Sequence, residues 1–565
     1  MLREEKSHQD DDAQILARLG YKQELQRHFT PLEVFGIGFS IMGLLPSIAS
    51  TISFALPNGG PTTLVWGWAV ASTFILIVAL ALGELASAAP TSGGLYFWTF
   101  KYAPPRSRNI LSWVVGYANT MGNVAGAAST MWGCAVQLVA AVSIGSNMTF
   151  IPTTGSTYGV YIALLLLAGV ISSGATRLVA RLQGIYVVLN ILLCLAIIIA
   201  LPVATPREFK NTASYAFGGF SNRALSIYAF VVLPDQRIAH TVTGWPSGFA
   251  FVLGFMTPLW SIGGFDAPIH ISEEASNART AVPWALVSAV GTTGLLGWVV
   301  NIVVAFHMGT DMSSILESPI GQPMAAIFFN SFGTRPTLAV WSVVVAVQFM
   351  MATSAYISVS RQIFAFSRDG ALPFSSFLYR INRRTQTPSN AVWGAIAAGA
   401  LLCLLAFAGP QAINAVFSVA VTAQYIAFGV PIASRVWAEL CRGGEEEMGK
   451  GQGRWEPGPF RLGRMSLPIA ALAILWSSFA VVLVMFPASP GPNAQNMNYT
   501  VVVGGGWAVV CLGYYYVPVV GGQVWFRGPV RNVQVGTVGG LEGGKMRSRS
   551  LQSEGSEEKV EEIDG

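Results

Sequence analysis

The sequence predicts an all-α polytopic membrane protein with twelve transmembrane helices, and three observations carry that expectation. Of its 565 residues, 52% are apolar and only 11% charged, with a mean hydropathy of +0.52. Soluble domains carry about 25% charged residues, so this chain has too little charge to cover a water-exposed surface. The apolar residues gather in long windows without Asp, Glu, Lys or Arg. Runs inside those windows, such as 191–201 (ILLCLAIIIAL), lack the apolar–polar alternation of an outer-membrane barrel strand. The composition also excludes disordered, collagen-like and disulfide-stapled chains. The basic residues behind the net charge of +5 sit between apolar windows, so they point away from nucleic-acid binding.

A helix needs about 20 residues to cross ~30 Å of hydrocarbon at ~1.5 Å per residue. Windows 182–206, 238–265, 280–310 and 336–360 each hold one such helix. Windows 34–83, 109–176, 385–434 and 465–526 each hold two, separated by turn-forming stretches such as Asn58-Gly59-Gly60-Pro61 and Ser489-Pro490-Gly491-Pro492. The resulting layout begins with a segment 1–33, spans 1–5 over 34–204 and an extended loop 205–247. Spans 6–10 follow over 248–434, then a loop 435–466, spans 11 and 12 over 467–520, and a tail 521–565. The tail's end, 540–565, has a disordered composition.

Charge sets the orientation. Of the 33 Lys and Arg residues, 28 fall on the side of the two termini and 5 on the other, which predicts cytoplasmic termini. The two Asn-x-Thr sequons, at Asn147 and Asn498, fall in loops of the opposite, external side. Residues 1–33 are charged and polar, so span 1 reads as an internal anchor rather than a cleaved leader. Four of the five cysteines lie in spans and Cys441 in a cytoplasmic loop, which leaves none for an extracellular disulfide.

Two spans carry helix-breaking patterns. Span 1 contains Phe35–Ser47 (FGIGFSIMGLLPS) and span 6 contains Phe255–Pro268 (FMTPLWSIGGFDAP). Each joins glycines to a mid-span proline, which removes a backbone donor and clashes with the preceding turn. Kinked packing helices would show the same residues. The placement of the breaks, in the first span and again five spans later, is the signature of an inverted-repeat transporter. Free N–H and C=O groups at two such breaks would bind a small molecule carrying both charges. Ser40, Met42, Gly43 and Leu44 at the first break, and Ser261, Gly263, Gly264, Phe265 and Asp266 at the second, are the candidate substrate-binding residues.

Three motifs then give a family resemblance. Gly83–Trp98 (GELASAAPTSGGLYFW), Gly264-Phe265-Asp266 with His270–Asn277 (HISEEASN), and Ser360-Arg361 with Arg368–Pro373 (RDGALP) resemble the amino acid–polyamine–organocation transporters. The similarity is greatest to the fungal amino acid/choline group that contains GABA and choline permeases, and it covers roughly residues 30–520. The resemblance implies a LeuT-type five-plus-five inverted repeat with two extra C-terminal helices. It also implies secondary active transport of an amino acid or related amine. Against the family pattern, the loop before Gly244-Trp245-Pro246 is lengthened by Arg223–Thr241, which reads as a lid, a neutral insertion or a retained intron.

Asp266 is an intramembrane acid, a functional candidate because its burial is costly. It would hold a substrate amine or a proton, or else cap the following half-helix. Glu84, Glu273, Glu274, Arg361, Arg368 and Asp369 close spans 2, 6 and 8 on the terminal side, as an inner gate or as ordinary interfacial charge. Trp132, Trp260, Phe265 and Tyr356 are candidate cavity walls able to favour a cation. The resemblance further implies a sodium site at Thr353, Ser354 and Ser358, or a span-5 lysine in its place; here Asn190 stands near mid-span and no lysine does.

The function expected is import of a small amino acid or amine, GABA-like, coupled to protons at the plasma membrane. The alternatives are a choline or quaternary amine permease and a transporter-like nutrient sensor. A membrane enzyme is disfavoured, because no HExxH pair is present and His8, His28, His240, His270 and His307 are dispersed. No cofactor, metal or nucleic-acid partner is expected.

Overall fold

The computed structural model describes residues 12–174, 176–222, 244–441, 454–491 and 497–533. The lengthened stretch Arg223–Thr241 and the tail 540–565 lie outside the described residues. Among those described, the regular elements are helices, and β pairing is confined to the isolated bridges Phe29 to Ala275 and Asn58 to Asn222.

Among the described residues, ten helices are long and apolar enough to cross a membrane, from Pro31–Ala55 at the start to Gly463–Leu483 near the end. Two segments expected as spans are shorter. Ser247–Ser261 stops where the expected break in span 6 begins, and Thr500–Tyr516 has 17 residues. The first helix starts at a capping box, in which Thr30 and Glu33 each satisfy the other's backbone N–H and Pro31 follows the cap.

Burial sorts the helices into centre and periphery. In Pro31–Ala55 and Pro410–Leu440, 83% of the apolar window is buried within the protein; in Thr154–Gly174 and Ala180–Ala204 only 28% is. Since lipid tails are as apolar as leucine, close packing of small residues and interhelical hydrogen bonds must select the partners. Arg108–Gly145 follows this rule: Gly116 and Gly122 lie against Phe366 and Gln424, and Gln348 donates to the Thr130 carbonyl at 2.9 Å. Thr334–Arg368 divides along its length, with every residue from Met351 to Arg368 buried.

The two described ends of the chain meet. Asn532 N–H donates to the Gly20 carbonyl at 2.7 Å, and Val530 N–H to Asp369 Oδ1 at 3.0 Å. Both ends therefore cover the same face of the helix assembly.

Candidate functional site

The first break is a single residue. Helix Pro31–Met42 ends at Gly43, whose φ of 39° and ψ of 63° are left-handed, and Leu44–Ala55 resumes at once. A side chain at Gly43 would be strained by that φ, and its Cβ would fall 2.5 Å from Met351 Sδ. Ser47 Oγ donates to the Met42 carbonyl at 2.6 Å, satisfying one group that the break releases. Ser40 Oγ, buried one turn earlier, has no hydrogen-bond partner among the described residues.

The second break is wider. Met256–Ser261 is followed by Ala267–His270, and between them Gly264 has φ +72°. Ser261 Oγ lies 3.0 Å from Thr51 Oγ1, which ties the two broken segments together. Beside the breaks is a cavity of about 40 Å³, lined among others by Ile41, Asn123, Trp260, Gly263, Gly264 and Gln424. None of its lining residues is charged. A larger vestibule of about 300 Å³, lined by Trp132, Gln322, Asn414 and Phe417 among others, opens towards the face opposite the chain ends. Trp260 and Phe417, with ring centroids 5.2 Å apart, stand between the two spaces, and the Trp260 indole N–H donates to Ser129 Oγ at 3.1 Å.

Asp266 does not cap the helix it precedes; its side chain makes no capping hydrogen bond. Instead its Oδ2 lies 3.1 Å from His270 Nε2, both residues fully buried, while Oδ1 has no partner among the described residues. His270 Nδ1 is 3.1 Å from the Ser92 carbonyl, and its Nε2 is 3.2 Å from Asn119 Nδ2. Asn123 Nδ2 donates in turn to Asn119 Oδ1 at 2.5 Å. A continuous polar chain thus runs from the cavity wall at Asn123 to the buried acid.

Among the charges expected on the terminal side, Glu273 and Glu274 form buried ion pairs with Arg368 and Arg361. Arg361 Nε donates to Glu274 Oε1 at 2.7 Å, and Arg368 grips Glu273 with both terminal nitrogens at 2.9 and 3.0 Å. The N-terminal segment lies over these pairs. The Tyr21 ring sits 3.9 Å beneath the Arg368 guanidinium, and its hydroxyl donates to Asp369 Oδ2 at 3.1 Å. Burial pushes the Asp369 carboxyl up to about 6, against the pull of Arg368 and of its hydrogen bonds from Val530, Tyr96 and Tyr21. Burial and the Asp369 charge together hold the Tyr21 phenol far above its ordinary value.

Several expected residues go elsewhere. Glu84 stands apart from these pairs: it pairs with Arg435 at 3.4 Å and accepts from Ser466 Oγ and Leu462 N–H, tying its helix to the last third of the chain. Phe265 packs on Phe428, and Tyr356 lies fully buried near Tyr161, so neither walls the cavity. The three hydroxyls of helix Thr334–Arg368 diverge. Thr353 bonds its own helix at Phe349, Ser354 meets Gln183, and Ser358 lines the cavity, its Oγ without a partner among the described residues. Asn190 donates to its own helix at Tyr186, and its Oδ1 is unpartnered among the described residues. Sequence reasoning passed over Asn119, Asn123, His270 and Gln183. The first two had a signal, since amides four apart on a long apolar helix share one face.

Comparison with known proteins adds the following. The amino acid permease family pattern matches residues 29–507. A GABA-specific permease of Saccharomyces cerevisiae is 36% identical over 529 residues, covering 93% of this chain and 86% of the relative. An uncharacterized amino-acid permease of Schizosaccharomyces pombe is 35% identical, with 94% and 89% covered. Amino-acid permease 2 of Neurospora crassa is 33% identical, with 91% and 88% covered.

Proposed function

The chain belongs to the amino acid permease family, and on that footing we propose that it imports a small zwitterionic amino acid, GABA-like, by proton-coupled alternating access. The observation that carries this reading is the cavity between the two helix breaks, with no charged side chain in its lining. A zwitterion is net neutral. Its carboxylate suits the backbone N–H groups released at a helix N-terminus, and its ammonium suits carbonyls released at a C-terminus. A polyamine would call for acids in the wall, and choline for an aromatic cage; Trp260 is the one aromatic residue of the lining.

The topology proposed is twelve spans. The ends of the described chain share one face, which fits an even number of crossings. The ten long helices are completed by Ser247–Ser261 with Ala267–His270 and by Thr500–Tyr516, whose 17 residues reach about 26 Å. Breaks in the first and sixth spans support the five-plus-five inverted repeat. The charge asymmetry of the loops supports cytoplasmic termini, and import at the plasma membrane is part of the same proposal. The vestibule on the far face, divided from the cavity by Trp260 and Phe417, and the closed ion pairs on the near one correspond to an occluded state that faces outward.

Uptake of radiolabelled GABA, neutral and basic amino acids, choline and polyamines tests the reading, with and without a protonophore. Protonophore-sensitive uptake of GABA or a small neutral amino acid is expected. Uptake of choline or polyamine alone would overturn the substrate class, and no uptake of any probe would favour a sensor.

A further inference from the structure

We propose that Asp266 and His270 share the coupling proton, and that Asn119 and Asn123 are positioning residues that transmit its presence to the substrate cavity. The proposal rests on the carrier function above and assigns its coupling site.

The hydrogen-bond chemistry of His270 requires such a proton. Its Nδ1 faces the Ser92 carbonyl at 3.1 Å, and a carbonyl only accepts, so Nδ1 carries a hydrogen. A neutral imidazole then has a bare lone pair on Nε2. That lone pair faces Asp266 Oδ2 at 3.1 Å, an acceptor when ionised. Two acceptors at that distance repel, so the contact holds only with one proton between them, on Oδ2 or on Nε2. Both residues are fully buried, which makes the repulsion between bare acceptors strong.

Asn119 makes the arrangement responsive. Its Nδ2 lies 3.2 Å from the same Nε2, so it donates there when Nε2 is bare and is displaced when Nε2 carries a hydrogen. Its Oδ1 is held by Asn123, whose side chain lines the cavity. Loss of the proton separates Asp266 from His270 and leaves Nε2 to Asn119; gain reverses this. Each change moves the Asn123 amide at the cavity wall and shifts Gly264, two residues before Asp266 and also in that wall. One proton binds from the vestibule side and leaves towards the opposite face, with no other reactant consumed.

The surrounding ionisable groups are already engaged. On the following turn and on helix Thr334–Arg368, Glu273 pairs with Arg368 and Glu274 with Arg361. Arg279 Nε donates to the Ser87 carbonyl, while Tyr96 and Tyr21 donate to Asp369. From helix Arg108–Gly145 the groups facing the pair are the neutral Asn119 and Asn123, and the one acid of helix Pro31–Met42, Glu33, is occupied at its capping box.

The first test needs no transport. In the full chain labelled with ¹⁵N-histidine, His270 Nδ1 should stay protonated across the pH range while the Nε2 signal shifts in one step as the shared proton leaves. Asp266→Asn should move that step by at least one pH unit, and Asn119→Leu should move it by less. An Nε2 step unchanged in Asp266→Asn would overturn the proposal. The second test uses proteoliposomes and radiolabelled GABA, alanine and proline as probes. In His270→Gln, the ratio of accumulation driven by a pH gradient to counterflow at equal pH should fall at least tenfold. A ratio equal to that of the unaltered protein would overturn the proposal. Absence of counterflow in the unaltered protein would count against the carrier reading, leaving the proton site to be judged by its ¹⁵N signals.

Discussion

Towards the face opposite the chain ends, the cavity at the breaks is divided from a 300 Å³ vestibule by Trp260 and Phe417. Towards the face of the chain ends it is covered by Arg361–Glu274 and Arg368–Glu273, with Tyr21 laid over the second pair. The vestibule side is neutral and aromatic, and opening there asks for little more than rotation of a ring with one hydrogen bond. The other side is charged and buried, and separating its pairs without rehydration would cost several kcal/mol for each ion. Side-chain motion alone therefore does not separate these pairs cheaply.

The largest expected effect tests that asymmetry directly. Arg361→Ala leaves Glu274 buried without its main partner and should destabilise the folded carrier by about 3–5 kcal/mol. Trp260→Phe keeps a ring at the opposite side, loses the bond to Ser129 and should cost about 1 kcal/mol. Thermal unfolding of both variants measures the difference, and Arg361→Met with Glu274→Met should recover most of the loss. Equal costs for the two single variants would erase the contrast between the sides.

The next effect is pH-dependent. Asp369 holds the terminal segments through Tyr21 and Val530, and its carboxyl is raised to about 6 in the closed protein. An exposed aspartate titrates near ~3.9, so the closed arrangement binds this proton more tightly than an opened one. Its contribution, about 3 kcal/mol at most, is fully present below about pH 4, is lost as pH rises through about 6, and stays level above that. Limited proteolysis near Tyr21 should therefore accelerate between pH 4 and 6, and Asp369→Asn should flatten the profile. Protection that grows with pH would reverse the assignment.

The smallest effect concerns the vestibule face. Asn147 is exposed, whereas Asn498 Nδ2 donates to the Val484 and Phe486 carbonyls at 2.8 and 2.9 Å. A glycan on Asn498 would displace at least one of those bonds. Asn147→Gln should abolish glycosylation seen as a mass shift, while Asn498→Gln should leave the shift and cost about 1 kcal/mol. A shift that survives Asn147→Gln would break this reading and place the loop after Leu483 in a looser conformation.

The sequence by itself determined the helical class, the apolar windows that hold the ten long helices of the described residues, both breaks and the charged residues at the helix ends on the terminal side. These are local properties. Hydropathy fixes what can lie in lipid, and Gly43 and Gly264 adopt left-handed backbone where the sequence placed the breaks, whereas Gly429 and Pro431 lie inside the unbroken helix Pro410–Leu440. Pairing is different, since a charge at a helix end can meet any other end on the same face. Sequence placed Glu84 with Glu273 and Arg361, but tertiary structure gave it to Arg435 and Ser466, residues some 350 or more positions later. The same holds for Asp266. Its preference for His270 over the helix N-terminus, and the run of that contact through Asn119 to the cavity, depend on how helix Arg108–Gly145 crosses the second break. Only packing sets that crossing, because in lipid the hydrophobic effect does not choose one apolar face over another.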